Sequence, residues 1–136
     1  MNVNPIYKTL LKKGSSDLKV AIRELSNQDA ELEIVCFHLQ QFVEKYLKAF
    51  LFFNGNEPKR THNIVFLLNE SILLEKDFEK YIGTEIIELN ECGVEIRYDD
   101  NDLIDIGFIQ KVLEIALILK KEIEDKLLIE NLNQLF

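Results

Sequence analysis

From Ala30 to Asn54 the chain reads AELEIVCFHLQQFVEKYLKAFLFFN, without a glycine or a proline. Phe37, Phe42, Val43, Tyr46, Leu47, Phe50 and Phe53 recur at helical spacing, which puts them on one face of an α-helix. Gln41, Glu44, Lys45 and Lys48 recur at the same spacing on another face. This spacing predicts one long helix, and Gly55 supplies the left-handed residue that closes it. Val35, Leu39 and Phe52 spread its apolar surface beyond a single stripe, so the helix must be covered on several sides.

The flanking sequence supplies further segments of the same kind. Pro5 can open a short helix with Ile6, Leu10 and Leu11 on its apolar side, which Gly14 ends or bends. Ser15, Ser16 and Asp17 then cap a helix to about Ser26, with Leu18, Ala21, Ile22 and Leu25 inward and Lys19, Arg23 and Glu24 outward. Asn27 to Asp29 reads as a turn, and Asn56 to Arg60, with Pro58, as a loop. Thr61 is placed to cap a helix to about Leu74, striped by Ile64, Leu67, Leu68 and Ile72. Phe78, Tyr81 and Ile82 suggest one packed turn before Gly83, and Thr84 can cap a helix reaching about Tyr98. The acidic run Asp99 to Asp102 precedes a last long helix, Ile106 to about Glu130, where negative charge suits the helix start.

These segments define an all-α fold: a single-domain, up-and-down antiparallel bundle of four to five main helices, with its core between about residues 17 and 127. Five glycines and two prolines leave few breakers for an all-β alternative. Ile115, Leu117 and Ile118 add apolar surface to the last helix beyond its main stripe, which points to a homodimer seam. A net charge of −8 excludes a general nucleic-acid binder, so no DNA partner is expected, although a local basic patch is compatible with it. The longest apolar run, Ala49 to Phe53, is too short for a bilayer, and the first residues do not read as a leader. A cytoplasmic protein with no membrane association is therefore expected. Cys36 and Cys92 fall inside apolar patterns, which predicts reduced core thiols. Zinc spacing, a calcium-loop pattern, a glycine-rich phosphate loop and a Ser-His-Asp order are all missing from the sequence, so no metal or cofactor is expected.

Three blocks resemble the HEPN domain family. FHLQQFVEKYLKAFL is similar to its aromatic–His–x–x–Gln pattern running into Glu-Lys-x-x-Lys-Ala. NGNEPKRTHNIVFLL resembles its Pro–basic–Thr–His loop and helix start, and EIRYDDND its Arg-Tyr segment. The resemblance covers about Asp17 to Leu127. It implies a helical bundle, commonly a homodimer, often encoded beside a small nucleotidyltransferase in a toxin–antitoxin or related module, with nucleotide or RNA as a ligand. Ribonuclease members of the family use an Arg followed four to six residues later by a His, which moves protons while the Arg stabilises phosphate charge. Arg97 stands at the Arg position, but Tyr98 to Leu103 holds no His, and none follows His62.

The candidate ligand-binding residues are Gln41, Glu44, Lys45, Lys48, Arg97 and Tyr98, with the helix face expected to meet Arg97 and Asp99 or Asp100. Charges at such spacing are more often a solvated face than a site. His38 and His62 are expected to be structural, the first packed and the second fixing the Pro58 to Thr61 loop. Lys59 and Arg60 could add anion affinity at the helix start at Thr61. The favoured reading is a non-catalytic binding module. A divergent ribonuclease toxin using Arg97 with His38 or another base, and a purely structural dimeric scaffold, are the alternatives.

Overall fold

The computed structural model describes residues 4–58, 60–92 and 104–135, with side chains described as far as Leu128. Four α-helices occur among the described residues: α1 (Ile6–Leu25), α2 (Leu32–Phe53), α3 (Ile64–Leu74) and α4 (Ile106–Leu135). Two 3₁₀ segments, Lys76–Tyr81 and Glu85–Glu91, lie between α3 and α4. Arg97, Tyr98, Lys59 and the acidic run Asp99 to Asp102 fall outside the described residues.

α2 is the centre of the bundle. It packs along α1 and also meets α4, α3 and the second 3₁₀ segment. Tyr7 stacks edge-on against Phe53, Ser15 bonds Tyr46 and Asp17 bonds His38, so one residue number rises as the other falls and the two helices run antiparallel. Leu39, Phe42, Val43, Tyr46, Leu47, Phe50 and Phe53 are all buried. Each large apolar side chain taken from water contributes about 1.5–3 kcal/mol, so α2 carries much of the hydrophobic stabilisation. Phe37, expected in this core, is instead partly exposed and packs edge-on against the His38 ring. Gly55 takes a positive φ of 78° just after α2, as its place in the sequence requires.

Several boundaries differ from the expectation. α1 is continuous through Gly14. A Cβ at position 14 would lie 2.8 Å from Cδ1 of the buried Tyr46 ring, so the glycine permits close approach of α1 and α2 and does not interrupt the helix. Ser15 and Asp17 are therefore mid-helix residues that reach α2, not caps. α3 begins at Ile64. Asn63 caps it by accepting from Phe66 N, and Thr61 Oγ1 accepts from Asn63 N in the turn before. After Thr84 the backbone forms a 3₁₀ segment rather than an α-helix and becomes extended at Cys92, while the Thr84 hydroxyl donates to the Tyr81 carbonyl. Ile86, Leu89 and Cys92 are nevertheless buried, as the apolar pattern required. α4 continues past Glu130 to Leu135.

The two cysteines also depart from the expectation of separate thiols. Cys36 on α2 and Cys92 after the second 3₁₀ segment meet with their sulfurs in bonding contact and their Cα atoms 5.7 Å apart, a spacing suited to a disulfide. Their sequence separation of 56 residues hid the pairing, because α3 and both 3₁₀ segments fold into the interval. No helix among the described residues is long and apolar enough to cross a membrane.

Candidate functional site

The polar residues of α2 divide between two clusters, each built on one carboxylate. In the first, Asp17 projects from α1 between two residues of α2. His38 Nδ1 lies 2.9 Å from Asp17 Oδ1, and Lys45 Nζ donates to Asp17 Oδ2. A carboxylate only accepts, so Nδ1 of His38 carries the proton in this contact and Nε2 is left for other partners. The cluster borders an open groove of about 520 Å³ lined by Thr9, Lys12, Lys13, Ser16, Asp17 and Lys45.

The second cluster is built on Glu44, next to Lys45 in the chain, where α2 faces the loop before α3. Glu44 Oε1 accepts from Lys48 Nζ at 2.8 Å and from His62 Nδ1 at 2.7 Å. Its other oxygen, Oε2, is buried without a hydrogen-bond partner among the described residues. A buried carboxylate is costly unless it is paired, and the two partners on Oε1 offset that cost only in part. Asn90 fixes the loop from below. Its Oδ1 accepts from Ile64 N at 2.6 Å, its Nδ2 donates to Asn63 Oδ1, and its carbonyl accepts from Gln40 Nε2. The amides of Ile64 and Phe66 at the start of α3 are thus occupied by Asn90 and Asn63.

A third polar line ties α1, α2 and α4 together. The Tyr46 hydroxyl donates to Glu124 Oε2, so the Ser15 hydroxyl donates to Tyr46, each at 2.8 Å. Burial pushes the Tyr46 phenol well above its usual range; the Ser15 bond opposes this and the Glu124 carboxylate adds to it. Tyr81 is raised in the same way, by burial and then by its 2.7 Å bond to Glu122 on α4.

The face read from the sequence is therefore only partly one site. The Glu44–Lys48 pair forms, whereas Lys45 turns from Gln41 to Asp17 on another helix. The side chain of Gln41 makes no hydrogen bond among the described residues. Both histidines bind carboxylates, His38 where α1 meets α2 and the exposed His62 from the loop before α3. Asp17 lies mid-helix rather than at a cap, one turn beyond Gly14, and nothing in the sequence marks Asn90. No group of His, Cys, Asp and Glu suited to a metal occurs among the described residues.

Comparison with protein families gives a match to the HEPN domain over residues 7–127. The chain belongs to the HEPN domain family. Comparisons with curated proteins and with solved structures return no match. The match spans α1 to the last buried turn of α4, so this HEPN bundle includes all three polar clusters.

Proposed function

We propose that this HEPN protein is a dimeric binding module without ribonuclease chemistry of its own. It associates with a nucleotidyltransferase partner or with a nucleotide- or phosphate-bearing ligand, in a module of the toxin–antitoxin kind. The observation that carries this reading is that no His follows Arg97 in the sequence, while His62 sits on Glu44 in the loop before α3. A His positioned after Arg97 to move a proton is the part that such a ribonuclease needs. The dimer is supported by Leu117, Ile118 and Leu128, exposed large apolar residues on α4. Co-purification with a co-expressed nucleotidyltransferase encoded beside the gene, and a thermal shift with nucleotides, test the reading. Failure of both removes it. Sedimentation equilibrium of the wild type against Leu117→Lys tests the dimer.

One observation favours a second reading, a divergent ribonuclease. Asp17 orients His38 through Nδ1 as a carboxylate orients a general base, and His38 is only partly buried. On this reading Arg97 stabilises the phosphate and His38 takes the proton. Expression then arrests growth, and both Arg97→Ala and His38→Ala relieve the arrest. Intact cellular RNA during wild-type expression overturns it.

A further inference from the structure

α1 is basic in an acidic protein. It carries Lys8, Lys12, Lys13, Lys19 and Arg23 against Asp17 and Glu24, while the whole chain has a net charge of −8. Lys12 and Lys13 take part in no ion pair among the described residues, although lysines on α2 and α4 are paired with carboxylates. Both line the groove between α1 and α2, with Lys45 on the opposite wall and Thr9 beside them.

The Asp17 cluster gives this groove a fixed wall. Asp17 is a carboxylate and by itself would repel an anion, but both of its oxygens are engaged, one by His38 and one by Lys45. An ammonium has three N–H donors, and Lys45 uses one of them on Asp17. The others remain available on a side chain whose position is already set, so less rotamer freedom is lost on binding than for a free surface lysine. Ser16 contributes less, because its hydroxyl donates to the Lys12 carbonyl. Lys12 and Lys13 then supply uncompensated charge at the rim.

We infer that the groove between α1 and α2 is a phosphate-binding site for a nucleotide-sized ligand, with Lys12, Lys13 and Lys45 as its cations and Asp17 positioning Lys45. The volume of about 520 Å³ lies in the range of small-molecule sites. This rests on the binding-module reading and gives its ligand a place where α2 faces α1, apart from the contacts of Glu44 with Lys48 and His62.

Calorimetric titration of the full chain with ATP, inorganic pyrophosphate and adenosine tests it, beside a Lys12→Glu/Lys13→Glu variant. Both lysines are exposed, so the core is untouched, and Lys12→Gln/Lys13→Gln replaces the variant should charge reversal impair folding. Binding of ATP and pyrophosphate but not adenosine, with affinity at least tenfold lower in the variant at an unchanged melting temperature, supports the site. ATP binding that the variant leaves intact overturns the groove while the binding-module reading stands. Absence of binding by either phosphate compound at millimolar concentration overturns the groove, and co-purification with the nucleotidyltransferase then decides the broader reading separately. Tighter binding to an oligoribonucleotide than to ATP, increasing with its length, overturns a nucleotide-sized ligand.

Discussion

The Asp17 and Glu44 clusters use the same three side-chain types, a carboxylate, a lysine and a histidine, yet they are built for different tasks. Asp17 joins α1 to α2, spends one oxygen on each partner and keeps Lys45 at the edge of a groove. Glu44 concentrates both partners on one oxygen and leaves the other buried. The side chain of Glu44 is 5% exposed and that of Asp17 13%, whereas His62 is 85% exposed and His38 25%. The more buried carboxylate thus holds the more exposed histidine. Depth of the acid, rather than composition of the cluster, separates an ion pair closed within the fold from one that borders the groove.

The largest expected effect is at Glu44. Glu44→Ala leaves Lys48 mostly buried without its counter-charge and should cost about 3 kcal/mol in urea unfolding. Gly14→Ala tests the seam on which the other cluster depends. Its methyl group would meet the Tyr46 ring and should cost about 2 kcal/mol by the same measurement. Asp17→Ala should cost only about 1 kcal/mol, because Lys45 and His38 can turn towards water. A larger loss at Asp17 than at Glu44 would break the distinction between the clusters. His62→Ala should cost under about 0.5 kcal/mol, as expected for one exposed partner of an ion pair. A loss above 1 kcal/mol there would mean that the histidine, and not Asn90, holds the loop before α3.

The fold was legible where one physical signal dominated. The uninterrupted apolar period of α2 and the glycine after it located the central helix within two residues at each end. Ile64, Leu67 and Leu68 likewise marked the buried face of α3. Gly14 shows where reading stops: a glycine between two apolar helical segments suggests a break, and only a ring arriving from α2 explains it as a close approach. Lys45 shows the same for the site. Helical spacing offered Gln41 as its neighbour, but a long side chain takes the partner with opposite charge, and Asp17 comes from another helix. Thr61 and Thr84 look alike as caps, yet Asn63 caps α3 and Thr84 bonds the preceding turn. Asn90, which ties the α3 start to α2, sits in a 3₁₀ segment with no sequence signal for its contacts.

The glycine in α1 also bears on the order in which the molecule assembles. A glycine inside a helix lowers its intrinsic stability by about 1 kcal/mol relative to alanine, and most of a helix's stability in a folded protein comes from the packing of its apolar face. α1 therefore gains its shape from contact with α2, whereas α2 has no such interruption over Leu32–Phe53. In kinetic terms, α1 is expected to dock on α2 after the barrier, so substitutions along α1 should register mainly in the unfolding rate when chevron plots are compared.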